Sequence, residues 1–221
     1  MDLIVRNVRL AQRPEGAPVD IGVAGGKIVA IERGLAAEAD TYDAGGRLAC
    51  GGLIETHIHL DKSRIIDRTP SETGRKISPM KQVAALKSSF TVEDVRARSE
   101  RTLIECILHG ATRMRTQVEV DPALGLRGFE AVKALKCDYA WALDLSLCVF
   151  PQEGLTNNKR ADALLVEALK RGAQVIGAAL RWLTGAADVL SPAIERDLGL
   201  PESVGYPVAV AVEIERSRVR V

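Results

Sequence analysis

Apolar and polar positions alternate over LIVRNVRL, residues 3–10, and again over DIGVAGGKIVAIE, residues 20–32, on both sides of Gly25-Gly26. Alternation of period two marks a half-buried strand, and a glycine pair between two such runs predicts a hairpin. Gly45-Gly46 and Gly51-Gly52 then punctuate the chain. Residues 1–52 therefore read as a small β unit, not a helical one.

From Leu53 the rhythm becomes strand, helix, strand, helix. LIETHIHL, residues 53–60, is a strand candidate. Thr91 is placed as a helix N-cap, with Asp94 three residues on in the manner of a capping box. Val92, Val95, Thr102, Leu103, Cys106 and Ile107 follow at helical spacing, and Gly110 closes that helix. ATRMRTQVEV alternates as a strand, and Leu126, Phe129, Val132 and Leu135 mark a second helix. YAWALDLSLCVF reads as a longer strand, ADALLVEALKRG as a third helix ending at Gly172, and AQVIGAAL as a fourth strand. The last three strands begin about thirty residues apart, the length of one βαβ unit. Such alternation predicts a parallel sheet with helices outside it, a barrel or a doubly wound fold. No GxGxxG or GxxxxGK[ST] follows a strand, so the nucleotide-binding version lacks support. Beyond about residue 180 the periodicity weakens, apart from a β-like end at VAVAVEI.

Composition narrows the picture modestly. The chain has 221 residues, 47% hydrophobic and 27% charged, as in an ordinary globular protein. A net charge of +1 without a basic block gives no reason to expect nucleic acid or an anionic membrane surface as partner. No apolar run approaches the roughly 20 residues of a membrane span. MDLIVRNVRL lacks the pattern of a signal peptide, and four scattered cysteines without a CxxC pair read best as reduced thiols of a cytoplasmic protein, with disulfides as the alternative.

The candidate chemistry lies in GGLIETHIHLDK, residues 51–62, which holds two of the three histidines. In a strand, residues i and i+2 share a face, so His57 and His59 project together. Neutral imidazoles on one rigid strand can converge on one zinc or ferrous ion. The alternative is a pair of strand histidines satisfied by neighbouring carbonyls or water. Asp61 and Lys62 either position this site or are solvated. Arg115 and Glu119 share a strand face and suit an interior charge pair.

The N-terminal β unit, then GGLIETHIHLDK, then RTQVEVD and FPQEG in that order, resembles the amidohydrolase superfamily and its cytosine deaminase-like branch, over about residues 1–179. The resemblance implies an α/β fold: part of a small β-sandwich (1–52), then an incomplete metal-dependent-hydrolase (βα) TIM-type barrel with its first four strands in 53–180. It also implies a mononuclear divalent metal, zinc or iron, that activates water against a C–N bond of a cyclic amide or amidine. His57 and His59 match the first two metal ligands of that family. Gln152, in FPQEG, matches the glutamine that hydrogen-bonds a pyrimidine- or triazine-like ring, the small-molecule partner. Gln117 stands where cytosine deaminases commonly carry histidine, which argues against cytosine itself. AQVIGAAL carries no lysine, so a bridging carboxylated lysine has no candidate there.

The family's later ligands are two further histidines and an aspartate. The third histidine of this chain, His109, closes a helix at the opposite end of a barrel from the catalytic face. Residues 181–221 show no resemblance to the family. The expectation from sequence is therefore a truncated or frame-shifted form, inactive and prone to form homo-oligomers. The alternative is a non-catalytic remnant or binding protein that keeps the front half of the barrel. VAVAVEI is the one tail segment with an alternative place, as an added strand of the N-terminal unit.

Overall fold

A computed structural model of the chain describes residues 1–69, 79–154, 158–177 and 214–215. Two compact units divide it, Met1–Gly52 and Leu53–Val221. In the first, β1 (Leu3–Leu10), β2 (Val19–Ala24), β3 (Lys27–Glu32), β4 (Asp40–Asp43) and β5 (Leu48–Ala49) form one sheet in the order β3-β2-β1-β4, with β5 also on β1. β2 and β3 are the expected hairpin. Gly25 and Gly26 have φ of +57° and +72°, the left-handed pair that a two-residue type I′ turn requires.

The second unit is a parallel sheet with helices packed on it. Its strands are β6 (Leu53–Ile58), β7 (Ala111–Glu119), β8 (Asp144–Phe150), β9 (Val175–Ile176) and β10 (Ile214–Glu215), in the order β10-β9-β8-β7-β6. β6 through β9 are parallel neighbours; β10 joins β9 antiparallel. Among the described residues the sheet does not close into a barrel. The helices are α1 (Pro79–Leu86), α2 (Val92–Leu108), α3 (Arg127–Asp138) and α4 (Ala161–Lys170). Leu103 of α2, Phe129, Val132 and Leu135 of α3, and Leu165 and Leu169 of α4 form one buried layer with Met114, Val118, Leu145, Leu147 and Val149. Burying a side chain such as Phe129, which is 0% exposed, contributes about 1.5–3 kcal/mol.

Three details depart from the sequence expectation. The segment YAWAL does not open β8. The Tyr139 N–H donates to the Leu135 carbonyl, and the Ala142 and Leu143 N–H groups donate to Tyr139 O, so these residues prolong the end of α3. Local hydrogen bonds win there over an alternating pattern, and Trp141 is left 82% exposed. The capping box is only half formed. The Asp94 N–H donates to Thr91 Oγ1 at 3.1 Å, but the Asp94 carboxylate is held by Arg68 and Arg98 instead of reaching back. Ile214, the last residue of VAVAVEI, pairs with Ile176 of β9 and not with the N-terminal unit. The rest of the tail, and most of AQVIGAAL beyond Gly177, lies outside the described residues.

Candidate active site

Alternation along β7 sorts its side chains. Met114 and Val118 enter the apolar layer, so Arg115, Gln117 and Glu119 face the other way. The β7–β8 register sets Gln117 beside Cys148 and Glu119 beside Phe150, which brings Cys148 and Phe150 to that same polar face.

β6 delivers the histidines there. Ile58 packs against the apolar layer, and His57 and His59 project to the opposite side. His59 stands just past the strand, at the start of a short 3-10 turn, Leu60–Lys62. The two imidazole centroids are 5.3 Å apart, edge to face, and the His59 ring meets Phe150 at the same distance. His57 is exposed and His59 half-buried. Burial lowers the His59 pKa to about 4, assisted by the nearby Lys62 and His57 charges. Its imidazole is therefore neutral at pH 7, with a lone pair available to a metal. His59 Nδ1 is buried and has no hydrogen-bond partner. An orphaned buried nitrogen beside a second imidazole fits a metal-ligand pair.

The residues after the histidines are not solvated. Asp61 is 2% exposed, its Oδ2 accepts the Glu119 N–H at 2.9 Å, and burial raises its pKa. Lys62 reaches Glu119 Oε2 at 2.6 Å, donates to Gln152 Oε1 at 2.9 Å, and lies 4.9 Å from the Phe150 ring centre. Glu119, 1% exposed, is thus paired with Lys62 and, through Oε1 at 2.8 Å, with Lys87, in place of the expected Arg115. Lys87 also bonds Asp121 and, at 2.7 Å, both oxygens of Glu153.

Lys87 organises this cluster. Burial would lower its pKa, but hydrogen bonds to Asp121, Glu119 and Glu153 prevail and hold it above the ordinary lysine value. Burial raises Glu119, with Lys62 opposing. At Asp121 burial is outweighed by the bonds to Lys87 and Glu119, and the carboxyl sits below its usual range. Oxygens of Glu119, Asp121 and Glu153 lie within 4.8 Å of one another, close enough for one cation. The Lys87 ammonium already bonds all three, so a metal there would have to displace a buried, fully paired charge. The histidine pair could take an ion without displacing such a charge.

His109 caps α2 at the other end of the sheet. The Leu53 N–H donates to Gly110 O, which sets His109 beside the start of β6 and about 15 Å from His57 along a strand rising about 3.3 Å per residue. Its Nδ1 contacts Glu105 O at 2.7 Å. Lys87 was not a sequence candidate. The only hint of it is the pair Glu119 and Asp121, two acids two residues apart at the end of β7, which calls for a cation from elsewhere.

No family model matches the chain. N-isopropylammelide isopropyl amidohydrolase of Pseudomonas sp. (strain ADP) is 28% identical over 185 residues, 80% of this chain and 45% of that protein. The crystal structure of N-isopropylammelide isopropylaminohydrolase from Burkholderia multivorans ATCC 17616 superposes with a TM-score of 0.69 at 28% identity, over 80% of this chain and 44% of that one. That of 5-methylcytosine deaminase from Klebsiella pneumoniae, liganded with phosphonocytosine, gives 0.69 at 30% identity over 78% and 42%. The chain belongs to the amidohydrolase superfamily, in its cytosine deaminase-like branch. It spans less than half the length of these relatives. Zinc-complexed atrazine chlorohydrolase TrzN from Arthrobacter aurescens TC1, at 21% identity and a TM-score of 0.51, shares the fold. No helix among the described residues is long and apolar enough to cross a membrane.

Proposed function

We propose that the chain carries the front half of a metal-dependent amidohydrolase that hydrolyses a C–N bond of a cyclic amide or amidine, pyrimidine- or triazine-like. The observation that carries this reading is the His57–His59 pair at the C-terminal end of β6, 5.3 Å apart, with His59 neutral and its Nδ1 without a partner. His57 and His59 would hold one zinc or iron ion. When bound, such an ion lowers the pKa of a coordinated water towards neutrality and so supplies the nucleophile. Gln152, tied through Lys62 to the Phe150 ring that His59 touches, would meet the ring substrate. A second reading, a binding protein that keeps this half-barrel without turnover, is favoured by His109, the last of three histidines, standing at the other end of the sheet.

Metal content and ammonia release, measured on one purified sample, test both readings. Two protein ligands are fewer than the three of an ordinary catalytic zinc site. We therefore expect weak, substoichiometric metal that the double change His57→Ala/His59→Ala abolishes and Gln152→Ala leaves in place. Metal retained by the double variant would remove the first reading. Turnover of a ring amine by the 221-residue chain, lost with His57→Ala, would remove the second.

A further inference from the structure

The sheet of the first unit has one covered face and one bare face. Ile4 stands opposite Gly22, and Gly22 opposite Ala30, on the side that the chain itself closes. A Cβ added at Gly22 would come within 3.3 Å of Leu35 Cδ1, and Ile4 and Leu35 are 0% and 5% exposed. The same registers set Ile28, Val23 and Leu3 in one row on the opposite side, and Ile31, Ile21, Val5 and Tyr42 in a second. Asp40 ends the first row at the β4 corner and is the one charge in this array. Ile28, Ile31 and Tyr42 are 62%, 50% and 56% exposed, and Leu3, Val5, Ile21 and Val23 are half-buried. Together the seven leave roughly 500 Å² of apolar surface in water, as large as the largest patch on an ordinary monomer.

We propose that this face is an interface between two copies of the chain, stacked sheet on sheet about a two-fold axis. The complement of a twisted, almost uncharged sheet face is another such face, and a second copy always carries one. Two of these faces bury about 1,000 Å², the lower limit of a specific interface, so the dimer is weak and reversible. In aligned sheet packing the half turn runs along or across the strands. Either choice carries the Asp40 corner onto an apolar corner and not onto its own copy. Like charges therefore do not meet, and each acid stays at the wet rim.

The test is sedimentation velocity of the 221-residue chain from about 5 to 500 µM, the range in which so small an interface associates. Wild type should pass reversibly from monomer to dimer. Ile28→Lys/Ile31→Lys, at two exposed positions, should raise the dissociation constant about tenfold or more, because the dimer would bury unpaired charge. Its circular dichroism spectrum should match wild type. Leu108→Lys/Trp141→Lys, at positions 78% and 82% exposed in the second unit, should leave the dissociation constant unchanged. A wild-type chain that stays monomeric at the highest concentration overturns the proposal, with no variant required to fold, and leaves the face to a different chain. So does a dimer that survives Ile28→Lys/Ile31→Lys, which would place the contact on an open strand edge. Association that runs past the dimer, or that Leu108→Lys/Trp141→Lys relieves equally, overturns it as well.

Discussion

The two faces of β7 are built on different physics. One face places Met114, Val118 and then Val120 against Phe129, Leu135 and Leu147, all at most 2% exposed. The other places Glu119 and then Asp121, each 1% exposed, against the charged ends of Lys62 and Lys87, whose side chains are 11% and 8% exposed. On the first face, stability grows with apolar area and any close-packed side chain serves. On the second, taking each charge out of water is costly, and only the presence of every partner offsets it. The apolar face should therefore fail gradually with lost volume, whatever the pH, and the charged face should fail abruptly with one partner and recover on protonation.

The largest effect is expected from Phe129→Ala. Phe129 is fully buried at the centre of the apolar layer, and deleting such a ring costs about 3–5 kcal/mol. Urea denaturation should register this loss equally at pH 7 and pH 5. A strong pH dependence would mean that Phe129 also supports the charged face.

Lys87→Met comes next, at about 3 kcal/mol, because it takes from the buried Asp121 carboxylate its lysine partner and from Glu119 one of its two. The sign with pH follows from the carboxyls. In wild type Asp121 is held below its usual range, so its contribution is complete above its unfolded value of about 3.9 and is lost as pH falls through the lower folded value. In the variant Asp121 loses the Lys87 hydrogen bond that offsets its burial, so its carboxyl is pushed up and protonation becomes stabilising. The gap between the two proteins should be widest near neutrality and narrow as pH falls towards 4. A gap constant across that range, by the same denaturation series, would show that Lys87 acts through packing alone.

The same contrast explains what the sequence makes legible. Period-2 and period-3.6 patterns carry the apolar face, so β6, β7, α2, α3 and α4 can be placed from residues alone, and so can the shared face of His57 and His59. Tyr139–Leu143 are the exception, because an alternating pattern there is overruled by hydrogen bonds closing α3. The charged face has no such periodicity. Lys87 lies 32 residues before its partner Glu119, and Lys62 lies 90 before Gln152. Nothing local in either lysine's surroundings distinguishes it from a solvated one. Glu119 with Asp121 is the half of that cluster that can be read, since two acids facing into a sheet cannot be left unpaired.

The smallest effects are expected where the two kinds of physics meet, at the first turn of α2. Thr91 caps the helix through Oγ1, and Thr91→Ala should cost about 1 kcal/mol. Asp94 accepts from Arg68 at 2.6 and 3.0 Å and from Arg98 at 3.0 Å, but Arg68 is 44% exposed and solvent screens that pair. Asp94→Asn should therefore cost only about 0.5 kcal/mol at pH 7, and less in high salt. The Arg68 hydrogen bond, with Arg98, holds the Asp94 carboxyl below its ordinary value. That small contribution is complete above pH of about 3.9 and vanishes as pH falls through the folded value, so Asp94→Asn and wild type should converge in strong acid. Thr91→Ala lacks a titrating group and should keep its deficit throughout. Melting both variants against wild type at pH 7 and pH 3 separates them. If the Asp94→Asn deficit persisted at pH 3, the carboxylate charge would not be what the first turn of α2 relies on.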